Sequence, residues 1–255
     1  MNAVFSFKPV AQKDVSAEEW QARVDLAACY RLAHMNRMSK VIWNHITARI
    51  PGPQDHILIN RFGLRYDEIT ASNLIKIDLE GNVLDGEDPR FLNRSGYVIH
   101  AAVHKARPDV TCVMHTHSRG GQGVAALKCG LLPLSQEAMM FYEDVGYHGF
   151  EGIANDEDEM DRLARDLGDK NQLILANHGL LTAGATVGET YWRMFHLELA
   201  CGLQMDVLAA GQDYVLPPRE ICEKTREQYK KGRPGLHEWP ALLRMLDQSC
   251  PEYKS

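Results

Sequence analysis

His115 and His117 stand two apart in Val113-Met114-His115-Thr116-His117-Ser118-Arg119-Gly120-Gly121, just after a short β-branched run that follows Pro108. A strand turns successive side chains to opposite faces, so these two imidazoles share one face. The glycines beyond them let a ligand approach the backbone. Two imidazoles on one face at a strand end form half of a metal site; the alternative is a half-exposed strand that carries two histidines. A third candidate is His178. It follows the apolar run Gln172-Leu173-Ile174-Leu175-Ala176 and precedes Gly179, where a ligand could project into a site. Three histidines with one open position commonly hold catalytic zinc, and imidazole also suits iron, cobalt and nickel. The open position would polarise a carbonyl or carboxylate oxygen and stabilise an enolate or enediolate. His100 and His104 have ligand-like spacing as well, four apart on one helix face. Helical histidines with alanine neighbours are more often packing or surface residues.

These side chains need elements to hold them. Ser16-Ala17-Glu18-Glu19 is a capping box, and the spacing predicts a helix from there to about Met35. Trp43 to Ile50 alternates like a strand and stops at Pro51-Gly52-Pro53. His56–Asn60 and Leu74–Leu79 read as further strands. Ser95 to Ala106 reads as a helix ended by Pro108, and 121–128 as another closed by Gly130. Leu131-Leu132-Pro133-Leu134 reads as a short strand or edge segment, 144–152 as a turn-rich aromatic stretch, and Glu157 to Leu167 as an acidic amphipathic helix. A second capping box, Thr186 to Glu189, opens a long helix to about Ala210. Strands joined by Gly/Pro/Asn turns, with helices that do not repeat as crossover units, point to a mixed, largely antiparallel sheet with helical layers. The expected organisation is a loose arm over 1–15, one domain over 16–211, and a tail over 212–255 that packs on the domain or on a neighbouring subunit.

Composition excludes several classes. The 255 residues are 45% hydrophobic and 24% charged, enough to bury a sizeable core. Net charge is -6 without a long basic run, so neither nucleic acid nor an anionic membrane is an expected partner. No basic-then-apolar leader opens the chain, and no apolar stretch nears the roughly 18 residues of a membrane helix. The six cysteines are scattered and read as reduced thiols, which makes a cytoplasmic protein the expectation.

Asn44-His45-Ile46-Thr47-Ala48-Arg49, the Asn60 to Thr70 run with Phe62-Gly63-Leu64, Arg107-Pro108-Asp109-Val110 leading to His115-Thr116-His117, and Asn177-His178-Gly179-Leu180-Leu181-Thr182 occur in that order. Together they resemble the class II aldolase/adducin superfamily over about residues 20–210. The resemblance implies a three-layer αβα fold of the α/β class, its mixed sheet largely antiparallel and flanked by helices. It implies one divalent metal per subunit on His115, His117 and His178, zinc first, with manganese, iron or cobalt as alternatives. It also implies a homotetramer with active sites between subunits, and the aromatic helix around Tyr191, Trp192 and Phe195 adds a surface that one core would leave uncovered.

Two departures from the sugar-phosphate aldolases stand out. Their acid/base glutamate, four residues before the place of His100, is Gly96 here, and their phosphate-binding residues are not kept: Phe62 replaces a small hydroxyl residue and His45 an asparagine. Glu137, Tyr142, Tyr147 or His148 could carry the proton instead. Glu137 leads, because an acidic side chain in a largely apolar run is costly unless used or paired; the alternative is a capped helix start after Ser135. Asn44, His45 and Ser95 become substrate-binding candidates. Arg119 would share the ligand face if strand geometry persists, and Arg94 sits at a helix N-terminus that favours anions, so either could receive a carboxylate. The expected function is a metal-dependent lyase, aldolase or decarboxylase, acting on a small oxo- or hydroxy-carboxylic acid. The alternatives are an adducin-head-like binding module and a non-haem iron oxygenase on the same fold.

Overall fold

Ser16 starts the first helix by accepting the Glu19 N–H on its hydroxyl, 3.1 Å away. The reciprocal half of that capping box does not form. Glu19 instead pairs with the fully buried Arg23 (3.0 Å) and with Lys76 (2.8 Å). A guanidinium without access to water is the stronger partner for a carboxylate. The computed structural model describes residues 9–53, 55–152 and 157–255, without the side chains of Arg94, Ser95 and Glu157. The part of the expected arm before residue 9 lies outside the described residues.

In chain order the elements are α1 (Ala17–Met35), β1 (His45–Arg49), β2 (His56–Asn60), β3 (Leu74–Asp78), α2 (Arg94–Ala106), β4 (Cys112–Thr116), α3 (Arg119–Ala125), α4 (Gln136–Met140), β5 (Gly146–His148), α5 (Glu157–Leu167), β6 (Gln172–Leu175), β7 (Gly179–Gly184), α6 (Val187–Ala209), α7 (Arg219–Lys230) and α8 (Glu238–Ser249). One seven-stranded sheet runs β3-β2-β1-β4-β7-β6-β5. Every pairing is antiparallel except β5 with β6. Helices cover both faces, giving the three-layer α/β architecture expected from the sequence.

The period-2 alternation of the strands assigns side chains to the two layers. Ile46 and Ala48 of β1, Cys112 and Met114 of β4 and Leu180 of β7 join the core under α1 and α6. Val113 of β4 and Leu181 and Ala183 of β7 join the other core, under α2 and α5. His45, Thr47 and Arg49 alternate with Ile46 and Ala48, so they face α2. Register places His45 opposite His115, and His115 opposite Leu181. Both histidines therefore lie near the middle of the sheet, on its α2 side.

Two segments differ from the sequence reading. Residues 180–184 give little sequence signal, yet they form β7, buried along its whole length. A three-residue connection makes it the hairpin partner of β6, and Asn177 turns the chain at φ 54°. Asparagine is among the few side chains that tolerate this left-handed conformation. Leu131-Leu132-Pro133-Leu134 is not a strand. Its amides are spent elsewhere: Leu131 N on the Tyr147 hydroxyl (3.1 Å), Leu132 N on Gln204 Oε1 (2.7 Å) and Leu134 N on the Leu132 carbonyl (2.8 Å), while Pro133 has none, so none is left for a ladder.

The tail folds as α7, α8 and a 3-10 turn at Pro251–Lys254, with Leu246 and Tyr253 fully buried in the core that includes α1. Tyr191 is buried as well, with Phe195 at 6.1 Å and Trp239 of α8 also at 6.1 Å between ring centroids. Tyr191 on the aromatic face of α6 is thus covered by the chain's own α8, while Trp192 and Phe195 stay half-buried. Among the described residues no helix is long and apolar enough to cross a membrane.

Candidate metal centre and cavity

His115 is the one histidine of β4, and its ring is fixed from behind. Nδ1 lies 2.9 Å from the Leu180 carbonyl oxygen across the β4–β7 ladder. A carbonyl only accepts, so Nδ1 carries the proton and the Nε2 lone pair points away from it. His117 leaves the strand end on the same side, and the two Nε2 atoms approach to 2.9 Å. The His117 amide reaches Asn44 Oδ1 at 3.4 Å. His178 comes from the β6–β7 hairpin turn, 4.7 Å from the His115 ring and 4.6 Å from that of His117. One ring nitrogen of each histidine lies within 4.8 Å of the others. Gly179 allows this approach, since a Cβ there would sit 2.2 Å from the Thr116 carbonyl oxygen.

Burial holds all three rings neutral. It is the largest cause pushing His115 well below the usual imidazole range, followed by the neighbouring His178, His45 and His117. His117 is pushed down to about 4, by burial first, then by His178 and by the Lys40 ammonium. His178 is lowered by burial and then by His148. Three neutral imidazoles with converging nitrogens form a donor set that fits a divalent metal.

The cluster lines a cavity of about 470 Å³, together with Lys40, Trp43, Asn44, His45, Asn93, Gly96, Ile99, Phe150 and Gly152. Trp43 and Phe150 are exposed large side chains at this cavity. Behind it, His100 and His104 of α2 are buried and hold no place in the cluster. His100 Nδ1 and His104 Nε2 each lie 2.8 Å from the Thr47 hydroxyl, and Arg49 donates to the His104 carbonyl at 2.8 Å. Their spacing of four serves this contact with β1.

Of the remaining candidates, Asn44 and His45 line the cavity. Arg119 does not. The strand ends at Thr116, Ser118 becomes the N-cap of α3, and Arg119 is an exposed first-turn residue. The premise that strand geometry continues to Arg119 therefore fails. The side chains of Arg94 and Ser95 lie outside the described residues. Glu137 sits half-buried in the first turn of α4, after the Ser135 cap, and Tyr142 just beyond that helix; neither lines the cavity. The Tyr147 hydroxyl is engaged with Leu131 N. His148 is buried, its Nδ1 2.8 Å from Asp166 and its Nε2 3.8 Å from Glu159.

Lys40, Trp43, Phe150 and Glu198 escape a reading of the sequence. Lys40 and Phe150 lie in segments without periodicity, and Trp43 opens a strand-like run in which nothing marks it as a cavity residue. Glu198 looks like any charged helix residue, yet it reaches from α6 to the loop after His117. Its carboxylate accepts the Ser118 hydroxyl and the N–H groups of Gly120 (2.9 Å) and Gly121 (2.8 Å). An anion on the first amides of α3 pins the backbone one residue beyond His117. Glu198→Ala is expected to weaken metal binding roughly tenfold, as loss of a group that orients a ligand does, in a competition titration with a chromophoric chelator.

A sequence profile for the class II aldolase and adducin N-terminal domain matches residues 24–205. The crystal structure of an aldolase II superfamily protein from Pseudomonas syringae is 48% identical in sequence, covering 96% of this chain and 99% of that one at a TM-score of 0.91. L-fuculose 1-phosphate aldolase from Glaciozyma antarctica is 29% identical and covers 97% of each chain at a TM-score of 0.82. Mouse alpha-adducin is 42% identical over 88% of this chain but only 33% of its own length.

Proposed function

This chain belongs to the class II aldolase and adducin N-terminal domain family, and on that premise we propose that it is a metal-dependent carbon–carbon lyase acting on a small oxo- or hydroxy-carboxylic acid. The observation that carries the reading is the convergence of three neutral histidines on the wall of one cavity. His115, His117 and His178 would hold the metal, zinc first. A metal bound there supplies Lewis acidity to a substrate oxygen and so favours an enolate.

The chain's own groups supply the rest. Lys40 lines the cavity and its charge is felt at His117, so it offers an ammonium to a substrate carboxylate. The Asn44 amide nitrogen is buried without a partner among the described residues and can donate to a substrate oxygen. Trp43 and Phe150 narrow the access of water. Gly96 cannot carry a proton. That favours decarboxylation: carbon dioxide departs from the ionised carboxylate, and the electron pair of the broken bond stays on the substrate as an enolate that then takes a proton from water. No base is needed, whereas retro-aldol cleavage needs one for the substrate's hydroxyl proton. The same reading has the chain working as a homotetramer in the cytoplasm.

The purified protein is expected to hold about one equivalent of divalent metal per chain and to release carbon dioxide or an aldehyde from a member of a 2-oxo and hydroxy acid panel. Less than about a tenth of an equivalent, with no gain on adding metal, would sink the lyase. The likeness to alpha-adducin favours one second reading, a binding module without turnover. That reading predicts the metal-poor result.

A further inference from the structure

Position 96 carries no side chain, and another residue fills the space. A Cβ on Gly96 would lie 2.6 Å from His45 Nδ1 and 2.7 Å from His45 Cε1, closer than such atoms can approach. The His45 ring thus occupies the volume that any side chain at 96 would enter. The ring is only 4% exposed, yet it lines the cavity, on the strand position opposite His115. Neither of its nitrogens makes a hydrogen bond of ordinary geometry with a described residue, although the Gly96 backbone acts on the ring as a hydrogen-bonding neighbour. A neutral imidazole offers one donor and one acceptor. Leaving both unmet in the interior is costly, so native folds rarely do it without something to meet them.

The ring is also backed by its neighbours. His100 packs behind it at 4.2 Å between centroids. His100 is tied to Thr47, Thr47 to His104, and the backbone of His104 to Arg49. This buried chain of polar contacts joins α2 to β1 and backs His45 toward the cavity. Asn44 Nδ2, one residue away, is likewise buried without a partner among the described residues.

We propose that His45 is the specificity-determining residue of this cavity: its imidazole holds an uncharged hydroxyl or carbonyl oxygen of the small acid by hydrogen bonding, and Gly96 is the residue that admits it there. This deepens the proposed reaction and rests on it.

The test uses metal-loaded protein with metal content measured for every sample. Calorimetric titrations compare two probe pairs that differ by one hydroxyl, malate against succinate and lactate against propionate. Wild type is expected to prefer the hydroxy acid, and His45→Leu to cut that preference roughly tenfold with metal retained. His45→Asn, which keeps a donor and an acceptor, is expected to retain part of it, and it serves should the leucine variant not fold. Gly96→Ala is expected to mimic His45→Leu, because the new methyl group displaces the ring. Gly96→Ala combined with His45→Leu should cost no more than either alone, since both act on one group. Preference unchanged in His45→Leu or in Gly96→Ala, losses that add, or loaded wild type without any preference would each overturn the inference alone. Wild type that takes up no metal would overturn the reaction, and this inference with it.

Discussion

Alanine at His178 is expected to strip the metal and leave the fold intact. His178 sits on a hairpin turn, half-buried, and among the described residues its ring packs against the rings of His115 and His117. Its loss removes one of three donors, which should lower affinity on the order of a hundredfold or more. His117→Ala should behave alike, being partly exposed beyond the end of β4. His115→Ala should also empty the site but at a further cost in stability. Its ring is buried and donates to Leu180, so about 1–3 kcal/mol is lost with that bond and the group left unpaired. His100→Ala and His104→Ala should keep their metal while losing the Thr47 contacts. Elemental analysis after dialysis, with turnover and a urea transition on the same samples, separates these cases. Full metal in His178→Ala would mean that the third ligand lies elsewhere.

Stability should fall steeply as pH drops below about 6.5, well above the range where carboxylates titrate. Burial is the first cause holding His45 down to about 3 and His104 down to about 3, and it holds His100 well below its usual range. In the unfolded chain these rings take up protons near pH 6.5. Below that pH the unfolded state binds protons that the native state refuses, so each ring's contribution is complete above about pH 6.5. It is lost as pH falls through the native value. The slope approaches about 1.4 kcal/mol per pH unit for each ring, against a total stability of about 5–15 kcal/mol. Urea midpoints of chelator-treated protein at pH 7.5, 6.5, 5.5 and 4.5 give the curve. Replacing His104 by glutamine should flatten it by about one ring's share. A midpoint constant down to pH 4.5 would mean that the rings are protonated in the native state.

The pairing of His115 with His117 on one face follows from the two-residue repeat of a strand, a property of the backbone that needs no neighbour. The caps at Ser16, Ser135 and Thr186 were equally legible, because each is satisfied by an amide three residues away. His178 could be singled out by the apolar strand before it. What lies across the chain could not. A continued strand would put Arg119 on the ligand face; instead Ser118, held by Glu198 80 residues away, caps a helix there. Strand β7 gave almost no signal of its own, because its partners on both sides bury it whatever its pattern. The fit of His45 against Gly96, and of Thr47 between His100 and His104, depends on how α2 lies over β1. Local periodicity sets which way a side chain points. Register and layer packing, which join residues some fifty positions apart, decide what it meets there.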